Sequence, residues 1–432
     1  MNGNAYAENA IWIFLEKILR VSVTFFLFVL VSRMLGPSDT GLLSFSQSLV
    51  AMLLCITGLG LDGILIKEFS SGKYNEESLY STVMISKLIV TLTVIILSLI
   101  ITIFIDTPLK NKIIFTCSLV GLVFQMQNTF FSYFQAKSLA KSATKYSFYS
   151  LLISAVIKLC LIYLDADVYI FALSFSFDFF VSYFFLGFFI KKLSLNIKIE
   201  EFSFTIFQDL VKQSYPIILS SLIVVLYTRL DQLMIAKMMS SSDLGVFSVA
   251  VRISEAYAFV PAAIATSFFP LLVSSSKKEN IKLYFDLVFF SAFVSGISLL
   301  IISYFYIDDI FGSAYSGTRS VLLVSIFSTM FASLGGACTN YLITINLTYM
   351  RLVRAVVGLV INFGLNLIFI PKYGILGAAY ASLISQLFAS LFGNLLNKKT
   401  ISCFQYQVRS VFTLGLIGVI GFIKEHKGYR RG

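Results

Sequence analysis

Ser32-Arg33-Met34-Leu35-Gly36-Pro37-Ser38-Asp39-Thr40-Gly41 has a second version in the same chain, Ala236-Lys237-Met238-Met239-Ser240-Ser241-Ser242-Asp243-Leu244-Gly245. Each follows a long apolar run. Each passes from a basic residue and a methionine to a Ser-Asp-x-Gly turn. The distance from Gly41 to Gly245, 204 residues, also aligns Arg33 with Lys237, Asp39 with Asp243 and Ser44 with Ser248. The copies sit in longer segments, Asn9–Ser48 and Gln213–Arg252. This is the footprint of an internal duplication, as found in transporters built from two structural repeats.

Composition agrees with a membrane protein. Of 432 residues, 58% are hydrophobic and 13% charged, against roughly a quarter charged in soluble domains; the mean hydropathy is +0.88. Charges fall between apolar runs of about 20 residues, each long enough to cross ~30 Å of hydrocarbon as a helix. The hydropathy predicts helices over 11–31, 41–61, 82–105, 112–135, 148–164, 168–190, 214–236, 245–271, 283–306, 320–343, 352–370 and 374–396. A thirteenth apolar stretch, 407–423, is marginal in length. No run reads as a cleaved signal peptide. The fold class expected is all-α: a polytopic membrane protein of two parallel six-helix repeats around a central cavity, with 12 core helices and a C-terminal extra. The domains expected are 1–200, 201–400 and a 401–432 tail. Their boundary is the charged loop Lys191–Lys212.

The net charge of +11 lies in short loops rather than one patch, which argues against nucleic acid as a partner. It sets topology instead. With a cytoplasmic N-terminus, inside loops carry 17 Lys and Arg and outside loops carry six, which favours that orientation in the inner membrane. Spanning by 407–423 would put Lys424, Lys427, Arg430 and Arg431 outside, so an interfacial placement is expected there. The five cysteines lack paired spacing, and four lie in apolar runs as small hydrophobes. No metal or cofactor motif is present.

Two segments resemble a known family. One is Arg229-Leu230-Asp231-Gln232 with Ser242-Asp243-Leu244-Gly245-Val246-Phe247-Ser248 and Phe268-Phe269-Pro270. The other is Asn362-x-x-x-Asn366 followed by Ile370-Pro371-Lys372-Tyr373-Gly374-Ile375-Leu376-Gly377-Ala378-Ala379. Both are similar to the polysaccharide-exporter branch of the multidrug/oligosaccharidyl-lipid/polysaccharide superfamily, and most of all to O-antigen flippases. Arg33-x-x-Gly36-Pro37 looks like that family's first loop. Chemistry alone explains much of the second segment: Pro371 ends a helix, Gly374 permits a tight turn, and Gly377 to Ala381 supply a small packing face.

The resemblance implies a flippase, not an enzyme, for an isoprenyl-diphosphate-linked oligosaccharide, with membrane lipids and polysaccharide assembly proteins as partners. A diphosphate needs fixed cations. Charges at membrane depth are costly and call for a role. The candidates are Lys158, Arg229, Arg20 and Arg252, with Lys158 and Arg229 foremost because no carboxylate lies at i±3 or i±4. Local pairing is the alternative: Glu16 with Arg20, Arg252 with Glu255, Lys158 with Asp178. The deep carboxylates Asp178, Asp231 and Glu255 are candidates for ion coupling. Gln125, Asn128, Asn362 and Asn366 are candidates for glycan contact, against plain interhelical hydrogen bonding. Lys87 and Asp286 are expected to snorkel from near the helix ends.

Three rivals remain. A drug exporter of the superfamily should line its cavity with carboxylates. A lipid II-type exporter would be built alike. A membrane glycan polymerase would need an acid–base cluster, whereas the lone histidine, His426, lies in the tail.

Overall fold

The computed structural model describes residues 3–193, 195–274 and 278–421; Lys277 and the tail from 422, His426 included, lie outside the described residues. The described residues form helices joined by short turns and loops, with no strand. Among the described residues, ten helical segments are long and apolar enough to cross a membrane. Two of these, of 57 and 48 residues, are double length and are broken at Gly36 and Gly374, so that each has room for two candidate spans.

The helices are α1 (Gly3–Thr57), α2 (Asp62–Ser71), α3 (Glu76–Phe104), α4 (Leu109–Leu119), α5 (Gly121–Phe124), α6 (Gln127–Ala136), α7 (Ala140–Tyr163), α8 (Val168–Lys192), α9 (Phe204–Met238), α10 (Ser241–Tyr257), α11 (Phe259–Ser267), α12 (Phe269–Ser274), α13 (Lys278–Phe311), α14 (Thr318–Thr344), α15 (Tyr349–Ser390) and α16 (Ile401–Phe412). Several begin earlier than hydropathy predicts. α3 starts at Glu76 because its polar first turn, which an apolar window excludes, is still a good helix former, and α9 starts at Phe204 rather than 214, taking in the mixed stretch that holds Asp209 and Lys212. Asn75 caps α3 through Glu77 N.

The two Ser-Asp-x-Gly copies break their helices by different means. In the first, Gly36 has φ 74°, left-handed backbone that favours glycine, and Pro37 follows it. In the second, Ser240 caps α10 in a reciprocal box with Asp243.

The chain divides into two compact units, Met1–Val225 and Leu226–Gly432. In the first, Leu65, Val83, Phe134 and Leu186 are fully buried, and Phe134 and Tyr146 stack on Phe189 at 4.8 and 4.9 Å. The segment after α8 is strapped onto α3. Ser81 and Thr82 accept from the backbone N–H groups of Lys198 and Ser203 at 3.1 and 3.0 Å, and Ser78 donates to Glu201. Lys198 donates to Glu77 at 2.5 Å, and that bond holds the ammonium above its ordinary pKa.

In the second unit, small residues bring helices close. A Cβ on Gly335 would lie 2.4 Å from Ser390 Oγ, and one on Gly358 would lie 2.9 Å from Ala389 Cβ. Gly374, at φ 60°, turns the chain, and a Cβ on Gly377 would meet the Phe369 carbonyl oxygen at 2.2 Å. α15 therefore doubles back at Gly374. The sulfurs of Cys338 and Cys403 meet across a Cα separation of 6.5 Å, a contact that their spacing did not foretell.

Two charges expected to snorkel are instead buried. Lys87 is 2% exposed and pairs with Asp62 at 3.4 Å. Asp286 is fully buried and accepts from Arg409 Nη1 at 2.8 Å and Ser410 Oγ at 2.7 Å. Arg409 belongs to α16, whose Gln407 also donates to the Leu334 and Ser390 carbonyls at 3.0 Å. This 12-residue helix is held against α13 by polar contacts.

Many large apolar side chains face outward, Phe104 at 83% and Tyr163 at 88% among them. Such a surface suits lipid, not water.

Candidate functional site

Serine and lysine recur along α7 as Ser147, Ser150, Ser154 and Lys158, spaced to share one helix face. Across the hairpin, α8 presents Ser174, Asp178 and Ser182 at four-residue spacing. The two stripes meet. Lys158 Nζ donates to Asp178 Oδ2, and Ser154 Oγ to Asp178 Oδ1. Lys158 also reaches Ser154 Oγ at 3.3 Å, and the Ser150 and Ser182 hydroxyls bond to each other. Lys158 is 3% exposed and Asp178 30%.

Arg20 of α1 completes this side of the site. Its Nε donates to Glu16 Oε1 at 2.7 Å, and its Nη2 donates to Ser147 Oγ at 2.5 Å. Arg20, Thr24, Leu27, Ser150, Leu151, Ser154, Lys158, Phe175, Asp178 and Ser182 line a small pocket. Phe175 forms a wall, its ring centroid 4.5 Å from Lys158 Nζ.

The second unit holds two further clusters. Arg229 Nη1 pairs with Glu255 Oε1 at 2.9 Å, and Arg252 Nη1 stands 3.9 Å from the other oxygen. One carboxylate thus serves two guanidiniums, and the charged groups acting on Arg252 are Glu255 and Arg229. Asp231, two residues after Arg229, takes another direction. Its Oδ1 accepts from Asn362 at 2.9 Å and Asn366 at 2.6 Å, and Ser382 Oγ donates to Oδ2. Asn366 also donates to Asn362 Oδ1 at 3.0 Å.

These positions sort the candidates. Lys158 and Arg229 are foremost in the sequence because no acid lies nearby on the same helix, yet each has one from a neighbouring helix: Asp178 and Glu255. Arg20 and Arg252 have the local partners, Glu16 and Glu255. Asn362 and Asn366, 1% and 0% exposed, donate their amide N–H groups to Asp231. Gln125 and Asn128 are half-buried at the break between α5 and α6. Ser382 and the serines of α7 and α8 are site residues that the sequence argument passed over, although the i, i+3, i+4 serine stripe ending in Lys158 is a readable signal.

Among the described residues no group of three acidic, His or Cys side chains is placed to hold a metal.

Comparison with known proteins follows from this geometry. The family described as "Polysaccharide biosynthesis protein" matches residues 6–276. A probable flippase, AglR of Haloferax volcanii, is 24% identical over 187 residues, which covers 38% of this chain and 37% of that protein. Among solved structures, the lipid II flippase MurJ in an inward closed conformation superposes with a TM-score of 0.73 at 16% identity, over 94% of this chain and 92% of its own. A transporter of the same superfamily from Pyrococcus furiosus, described as having a binding pocket of reversed polarity, gives 0.64 at 15% identity, over 94% and 96%. An outward-facing multidrug transporter gives 0.63 at 15%, over 92% and 96%. These likenesses show a shared fold: that of the multidrug/oligosaccharidyl-lipid/polysaccharide superfamily. The chain belongs to the polysaccharide biosynthesis protein family.

Proposed function

We propose that this protein is a flippase. It moves an isoprenyl-diphosphate-linked oligosaccharide, a surface-polysaccharide repeat unit such as that of O antigen, from the cytoplasmic to the outer leaflet by alternating access. The observation that carries this reading is the pair of guanidiniums, Arg229 and Arg252, around the single carboxylate of Glu255. Membrane helices exclude surplus charge unless it has work to do, and a planar fork of donors matches a phosphate. Family membership and the MurJ-like fold support the same substrate class. An exporter of cationic drugs would be served by more carboxylate at this position, not by two guanidiniums around one carboxylate.

Ion coupling falls to Asp231. Its carboxylate is buried and is held by three neutral donors, so a proton or small cation arriving there would change the local charge. The test is a gene deletion followed by analysis of lipid-linked glycans. Accumulation of a glycan on the cytoplasmic leaflet, reversed by the wild-type gene but not by the Arg229→Ala, Arg252→Ala form, is expected. A deletion that leaves the lipid-linked pool unchanged would show that the substrate lies elsewhere.

A further inference from the structure

We propose that the start of α15, with the segment 392–400 that packs against it, is a headgroup site for one anionic phospholipid at the membrane surface. The site lies within the second unit. It shares no residue with the Arg229–Glu255–Arg252 cluster and does not depend on what the protein transports.

Charge is the first argument. No Asp or Glu lies between Asp309 and Glu425, whereas Lys and Arg recur there. Arg319 finds its acid in Asp308, and Arg409 in Asp286. Arg351, Arg354, Lys398 and Lys399 have no ion pair among the described residues, and the charged group that acts on Arg354 is another cation, Arg351. The fold gathers these four. Asn397, next to Lys398, donates to Tyr349 Oη at 2.7 Å at the head of α15. Arg354 and Thr400 both donate to Asn394, one to its side chain and one to its carbonyl. The first turn of α15 has neither an acid nor a side-chain cap, so its free N–H groups add to the positive charge.

Burial is the second. Arg351, Lys398 and Lys399 are exposed, and topology alone accounts for exposed bases at a helix end. It does not account for Arg354, which is 5% exposed. A guanidinium held in the membrane is costly unless a counter-ion offsets it. Its acceptors are all neutral: Thr339 Oγ1 at 2.7 Å, the Gly335 carbonyl at 3.3 Å and Asn394 Oδ1 at 3.4 Å. Its Nε has no acceptor among the described residues. A phosphate held by the three outer cations would supply the missing negative charge, in a medium where charge acts at range.

The surroundings select a lipid over a free anion. Phe392, Leu395 and Leu396 are exposed beside the cations, a surface for acyl chains that a soluble phosphate would leave to water. Clustered bases at a membrane surface attract anionic headgroups.

The experiment uses the full chain in a nonionic detergent. It is titrated with palmitoyl-oleoyl phosphatidylglycerol, with zwitterionic phosphatidylcholine of the same chains, and with inorganic phosphate. Bound lipid is counted by native mass spectrometry. One phosphatidylglycerol is expected to bind more tightly than phosphatidylcholine. The triple change Arg351→Gln, Lys398→Gln, Lys399→Gln should weaken it about 10-fold or more, since one base near the surface is worth about fivefold. Lys191→Gln with Lys192→Gln, an exposed basic pair of the first unit, should leave it within about twofold. Arg354→Met, which removes the buried charge, should lower the preference for phosphatidylglycerol. Should that variant misfold, the triple change decides alone. The site is overturned if the two lipids bind alike, or if the triple change or a folded Arg354→Met keeps the wild-type preference. It is overturned also if the Lys191, Lys192 change weakens binding as much, which would mean diffuse attraction. Displacement of the lipid by millimolar inorganic phosphate would make this a site for a free anion instead.

Discussion

Lys158 and Asp178 are joined across the α7–α8 hairpin by an ion pair in which the lysine is 3% exposed and the aspartate 30%. Removing one partner leaves the other uncompensated. Lys158→Ala is expected to cost about 3 kcal/mol, the low end for breaking a buried pair, because Asp178 is partly open. Protein abundance in the membrane should fall. The double change Lys158→Ala, Asp178→Ala should restore abundance but not glycan export. Normal export by the double mutant would make the pair mere scaffold.

Asp231 is held by Asn362, Asn366 and Ser382 without a basic residue among those three partners. Asp231→Asn keeps the shape and removes the charge. Export in inverted vesicles should lose its dependence on a proton or sodium gradient, with protein abundance within about twofold of wild type. A gradient dependence unchanged in Asp231→Asn would remove this carboxylate from the coupling.

Gly377 and Gly364 lie on the two arms of one hairpin and should respond oppositely. A Cβ at Gly377 would sit 2.2 Å from the Phe369 oxygen, which is backbone and cannot swing away, whereas Gly364 has open space. Gly377→Ala should destabilise by about 3 kcal/mol, the upper end for overpacking. Gly364→Ala should be neutral or gain roughly 0.5–1 kcal/mol from helix propensity. Thermal unfolding of the two variants in detergent, read by fluorescence, decides it.

Orientation is open to direct labelling. The loop-charge asymmetry predicts Ser38 outside and Lys141 inside, and both are exposed. A cysteine at Ser38 should react with an impermeant maleimide on intact cells. One at Lys141 should react only after permeabilisation. The opposite pattern would invert the topology.

The fold was legible because its determinants are long-wavelength: runs of about 20 apolar residues and a repeat at 204. The chemistry of single side chains was less so. Arg229 and Asp231 could be told apart, since residues two apart on a helix face different ways. Their partners could not be found, because Glu255 and Asn366 come from other helices, and no spacing rule reaches across a bundle. Lys87 and Asp286 show the same limit. Their place near helix ends suggested snorkelling, but whether a chain end escapes to water depends on what packs over it. In these cases the covers are α2 beside Lys87 and α16 over Asp286. The serine stripe of α7 was readable and was overlooked because hydroxyls hardly lower hydropathy.

The bond from Arg409 to Asp286 spans 123 residues of sequence, and that separation has a cost in time. A ribosome adds roughly 5–20 residues each second, so α13 emerges about 6–25 s before its counter-ion is made. For that interval the nascent helix has an unmatched carboxylate. It must wait beside the insertion machinery, or keep that turn at the water boundary, until α16 arrives to close over it. α16 is in this sense a deadline for the second unit: a chain halted before residue 409 holds the Asp286 carboxylate without the Arg409 guanidinium that it accepts from.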